Sequence, residues 1–128
     1  MDKIVIRTAR LEDGVMGGWD PHTRTIWLDD RLTPGERRST LTHERIHAER
    51  GDTDCASDWH TAKQERLVRF ETARRLIGFT GLAEALKWCR DEHELAEHFG
   101  VDVDTVLARL EGLSFAEREM LDELVWAA

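Results

Sequence analysis

Apolar positions in the first thirty residues come in short β-branched groups. Lys3-Ile-Val-Ile-Arg-Thr-Ala-Arg-Leu11 runs up to Asp13-Gly14, which reads as a strand closed by a turn. After Gly17-Gly18-Trp19-Asp20-Pro21, a second strand is expected over Thr23 to Leu28. Together these make a small antiparallel N-terminal sheet of two or three strands. From Thr33 the pattern becomes helical. Thr33-Pro34-Gly35-Glu36 places a cap, a proline at the first helical position and a glutamate that closes a capping box. The helix should run to about Glu49, with Gly51 just past its end. A second helix is expected from about His60 to Ile77 with Val68, Ala73 and Leu76 as its apolar stripe, and a third over Leu82 to Cys89. Asp91-x-x-Glu94 and Ser114-x-x-Glu117 read as capping boxes that open a fourth and a sixth helix. Between them, Leu95 to Leu110 has helix-turn-helix spacing, with Gly100 at the turn. Strands first and helices after predict an α+β fold.

Composition narrows this to one folded domain, 1–128. The 128 residues are 41% hydrophobic with only two prolines, enough for a core and unlike a disordered chain. No apolar run is long enough to span a membrane and the N-terminus lacks a signal peptide, so a soluble cytoplasmic protein is expected. Cys55 and Cys89 are too few and too far apart for a disulfide framework, and are expected as free thiols. The net charge of -8 is unevenly placed: residues 1–90 carry 16 Lys/Arg against 15 Asp/Glu, and residues 91–128 carry two against 11. The C-terminal part is therefore an acidic helical subdomain, and no basic patch for a nucleic acid is visible.

Inside the first helix stands His43-Glu44-Arg45-Ile46-His47, an instance of His-Glu-x-x-His. On a helix, residues 43 and 47 share a face, so two imidazoles can reach one zinc ion. Glu44 is placed to take a proton from a metal-activated water. A catalytic zinc also needs a third protein ligand and an open position for water. The candidates are Asp54, Cys55, Asp58, His60 and Glu65. Glu65 stands out because it shares a helix face with Val68, Thr72 and Leu76 and should point toward the core. An inward carboxylate needs a partner, a metal or an arginine. His60 can instead be a ligand, or a proton donor or oxyanion contact over the metal, or simply an exposed residue at a helix entry. Ile26-Trp27-Leu28 is the expected sheet edge for a substrate backbone, although Trp19 and Trp27 are equally well read as core or rim aromatics.

The run from Thr25 to Asp52, followed by Lys63-Gln-Glu-Arg-Leu-Val68 and Ala73-Arg-Arg-Leu-Ile77, resembles the ImmA/IrrE family of zinc metallopeptidases over most of the chain. The resemblance implies a gluzincin-like site with one Zn2+ held by His43, His47 and Glu65, and Glu44 as general base. Family members commonly have an alanine and an Asn or Asp where this chain has Val68 and Arg69, which removes a hydrogen bond such an Asn or Asp could make to a ligand histidine. It further implies a protein of prophage or mobile-element type whose substrate is a DNA-binding transcriptional repressor. In this frame residues 1–90 form the catalytic core, a zincin-like helical scaffold under the sheet. Residues 91–128 cover it.

Two rival functions stay open at this point. One is a non-catalytic regulator that binds a partner on the same scaffold. The other is a helix-turn-helix DNA-binding protein, which the charges disfavour. The second helix of that segment carries Asp102, Asp104 and Glu111 with Arg109 as its lone cation, and such a surface is repelled by a polyanion.

Overall fold

The computed structural model describes residues 3–53 and 58–126. Its strands are β1 (Val5–Ala9), β2 (Gly17–Asp20) and β3 (Thr25–Asp29), in the spatial order β1-β3-β2. β2 and β3 are antiparallel, with Trp19 opposite Ile26, whereas β1 runs parallel to β3, with Ile6 opposite Ile26. The sheet is thus mixed rather than antiparallel. Local patterning predicts strands but not their neighbours. Ile26 and Leu28 are fully buried, with Thr25 and Asp29 nearly so. A strand this buried belongs at the centre, where both of its backbone edges are paired.

Six helices follow: α1 (Pro34–Arg50), α2 (Asp58–Leu76), α3 (Phe79–Leu86), α4 (Glu92–Phe99), α5 (Val103–Glu111) and α6 (Phe115–Leu121), the last continuing into a π-helical stretch, Asp122–Trp126. The fold is α+β. α1 starts with the expected capping box: the Thr33 hydroxyl accepts from the Glu36 N–H at 3.2 Å, and the Glu36 carboxylate accepts from the Thr33 N–H at 2.9 Å. Such a cap contributes about 1 kcal/mol. Ser114 and Glu117 build the same box at α6. At α4 the expected box is one-sided. Asp91 accepts from the N–H groups of His93 and Glu94, but the Glu94 carboxylate takes the Cys89 thiol at 3.1 Å instead of the cap backbone.

α1 packs against β2, β3 and α2, and α2 in turn packs against α5. The main apolar cluster lies farther along the chain, where Ile77, Leu82, Leu86, Leu95, Val106 and Leu121 are buried together. Each such side chain contributes about 1.5–3 kcal/mol relative to an exposed one. Ile26, Leu28, Ile46 and Val68 are buried outside that cluster, near the sheet and the first two helices. Arg109 is buried against the end of α2: its Nε donates to the Ile77 carbonyl at 2.8 Å and its Nη2 pairs with Glu117 at 2.8 Å. Among the described residues no helix is long and apolar enough to cross a membrane.

Candidate metal centre

α1 buries few apolar groups. The side chains it turns inward are Ser39, Thr40, Glu44, Ile46 and His47, so its inner face is polar and needs partners. His43 and His47 lie one above the other on that face, as the i, i+4 relation demands. Their Nε2 atoms are 3.2 Å apart. Glu65 of α2 reaches both of them, Oε2 at 2.9 Å from His43 Nε2 and Oε1 at 2.8 Å from His47 Nε2. Glu44 stands beside the pair, its carboxylate within 4.8 Å of the two imidazole nitrogens. Glu65 is the acid in contact with both rings, and Glu44 stands beside them.

These residues fit a metal ion. Two imidazole nitrogens bonded at about 2.0–2.1 Å to one tetrahedral zinc stand about 3.3–3.4 Å apart, close to the spacing seen. The donor chemistry agrees. A carboxylate only accepts, so without an ion both nitrogens must turn protons toward Glu65 across a 3.2 Å gap, and the two N–H groups repel. A single cation takes both lone pairs and the carboxylate at once.

A second acid supports this arrangement, and it was not foreseen from the sequence. Asp52 Oδ2 lies 2.9 Å from His47 Nδ1, with side-chain exposures of 11% for Asp52 and 7% for His47. Because the carboxylate can only accept, Nδ1 carries the proton and Nε2 is left to face the site. The backbone explains how Asp52 gets there. Gly51 is left-handed at φ 72°, a conformation glycine adopts without strain. The N–H of Gly51 bonds the Ala48 carbonyl at 3.1 Å and the N–H of Asp52 bonds the His47 carbonyl at 3.0 Å. This is the Schellman closure of a helix end, and it returns residue 52 to the side of residue 47. Arg50 Nε donates to the same Asp52 Oδ2 at 2.9 Å. The signal was present as a glycine followed by an acid directly after the motif helix.

Electrostatics divides the acids into two kinds. Burial pushes the Glu44 carboxyl up, and the neighbouring His43 and His47 only partly offset this. Hydrogen bonds from His43 and His47 hold the Glu65 carboxyl well below the usual carboxylate range. For His47, burial pulls the imidazole down, but the bonds to Glu65 and Asp52 outweigh it and leave it raised. One acid thus holds a proton more readily than an ordinary carboxyl and the other less readily.

The sequence placed Glu65 toward the core. Its side chain is instead 50% exposed, because the preceding residues 59–63 are all exposed and α2 enters the interior only at Val68. Val68 itself is fully buried. Arg69 reaches across to α5, where it pairs with Asp104 and Glu111 at 2.9 and 2.7 Å. His60 is exposed in the first turn of α2, its ring edge-on to Trp59 with centroids 5.0 Å apart. Asp54, Cys55 and the side chain of Asp58 lie outside the described residues.

Two cavities meet at the site. One of about 700 Å³ is lined by Gly18, Trp19, His22, Glu44, His47 and Glu65 among others. A second, of about 400 Å³, includes Met16, Thr40, His43, Glu44, Glu65 and Arg69. This corrects the expected substrate edge. Ile26, Trp27 and Leu28 lie on the central strand, paired on both sides, so their backbone has no edge to offer. The strand that borders the larger cavity is β2, at the end of the sheet. β2 lies very close to α1, since a Cβ on Gly17 would meet Thr40 Cγ2 at 2.6 Å and the Trp27 carbonyl at 2.7 Å. Only glycine allows that approach.

A histidine pair and a glutamate on one helix, faced by an acid from the next, form a group that could hold a metal ion. Residues 3–111 match the peptidase M78 family, the IrrE N-terminal-like domain, and the chain belongs to that family. The resemblance read from the sequence therefore stands. No curated protein and no solved structure matches the chain.

Proposed function

We propose that the protein is a zinc-dependent endopeptidase in which His43, His47 and Glu65 hold the ion and Glu44 is the general base. One observation carries the reading: two imidazole nitrogens 3.2 Å apart share a carboxylate from a second helix, with a buried glutamate beside them. When bound, zinc supplies Lewis acidity to the scissile carbonyl and lowers the pKa of a coordinated water to about 7. The chain's own residues do the rest. Asp52 orients the His47 ring. Glu44, with a carboxyl raised by burial, takes the proton of the attacking water and passes it to the leaving amine. An extended substrate segment adds to the edge of β2, which brings a peptide bond over Glu44.

The substrate we propose is a DNA-binding repressor, supported by the family resemblance alone. Direct DNA binding by this chain is disfavoured by the placement of α5. The helix that would enter a groove packs on α2 and spends Asp104 and Glu111 on Arg69. The test uses purified, zinc-loaded protein and candidate DNA-binding repressors as substrates. Glu44→Gln should keep its zinc and lose about 10²–10⁴-fold in cleavage rate. If Glu44→Gln relieves repression in cells as well as the wild type does, the protein acts by binding and the peptidase reading falls.

A further inference from the structure

The smaller cavity, about 400 Å³, has no part in the steps above. Its lining includes His43, Glu44 and Glu65 together with Arg69 of α2 and Asp102 and Asp104 where α5 begins. The helix-turn-helix-like segment, which carries the wrong charge for DNA, thus forms a wall of a chamber adjoining the metal centre. Arg69 lies one turn after Glu65 and projects from the same helix face. Its guanidinium is fully engaged, Nε and Nη2 on Asp104 at 3.0 and 2.9 Å and Nη1 on Glu111 at 2.7 Å. Asp102 and Asp104 outnumber Arg69 in the cavity lining, so this part of the wall keeps a negative charge. Glu44 and Glu65 offset the charge of an ion held by the histidines. No lysine and no second arginine lines the cavity among the described residues.

We infer that this cavity receives a basic side chain of the substrate next to the scissile bond, with Asp104 as the residue that sets the preference. The inference rests on the metal centre proposed above and adds a substrate property that the motif does not specify. Asp104 lines the cavity and keeps 64% of its side chain exposed. Glu111 holds the same guanidinium but is not among the described lining residues. That difference separates a specificity role from a structural one.

Calorimetric titration of the zinc-loaded full chain with the hydroxamates of arginine, leucine and glutamate tests it, because the hydroxamate anchors each probe on the metal while the side chain samples the pocket. The arginine compound should bind about tenfold tighter than the leucine compound, and the glutamate compound weakest, as expected for one added favourable charge contact. Asp104→Asn should remove most of that gap, and Glu111→Gln should keep it. Equal binding of the three probes, or an arginine preference that survives Asp104→Asn, overturns the pocket and leaves the metal centre standing. Failure of all three to bind removes the metal centre and the pocket with it.

Discussion

α1 and α3 bury opposite kinds of surface. α3 turns Leu82, Ala83, Ala85 and Leu86 inward, and its place in the fold follows from apolar area removed from water. α1 turns inward two hydroxyls, a carboxyl and an imidazole with one isoleucine. Such a face gains little from burial, since each polar group must find a partner or cost free energy. A helix that buries polar groups across the spacing of a metal motif is held for what those groups bind, whereas one that buries leucine and alanine is held for the fold. The contrast predicts that damage to the two helices will separate cleanly.

The largest expected effect follows from that split. Leu82→Ala should cost about 2–5 kcal/mol in unfolding free energy while the folded fraction still binds zinc at one equivalent. His43→Ala should do the reverse, losing stoichiometric zinc with a change of only about 1 kcal/mol in the stability of the chain measured with chelator present. Denaturant melts and elemental analysis on both variants would show this. A His43→Ala protein that retains its zinc would end the contrast.

Asp52 sharpens it, because this residue touches no proposed reacting group and acts through His47. Asp52→Asn should weaken zinc binding about 10–100-fold, measured by competition with a chelator, with the fold intact by circular dichroism. Unchanged affinity would make Asp52 a helix-end residue and nothing more.

The smallest effect concerns acid stability where α5 meets α6. The Arg109 guanidinium lowers the Glu117 carboxyl below its ordinary value of 4.5. A lowered carboxylate stabilises the fold above its unfolded-state value and loses that contribution as the pH falls through its folded value. Glu117→Gln should therefore cost about 1–2 kcal/mol at neutral pH and progressively less as the pH falls below 4.5, which flattens the stability profile there. A wild-type and a variant profile that stay parallel down to pH 3 would show that the pair contributes nothing through its charge.

Much of this molecule was legible in its sequence wherever the cause is local. Thr33, Pro34 and Glu36 specify where α1 begins, Gly51 specifies where it ends, and the four-residue spacing of His43 and His47 puts both rings on one face. Each depends on bonds within one turn of helix, so neighbours along the chain suffice to determine it. What only the tertiary structure decided depends on which elements meet. Strand patterning marked Ile26 to Leu28 but could not tell a central strand from an edge, because the alternation of side chains is the same in both. Periodicity put Glu65 on the buried face of α2 but could not show that the helix enters the core only at Val68, which leaves the carboxylate at a cavity mouth and on both imidazoles. The partner of Arg69 lies 35 residues along the chain on α5. Charges that far apart in sequence find each other only after α2 and α5 have packed, and that packing depends on apolar surfaces that carry no information about the site.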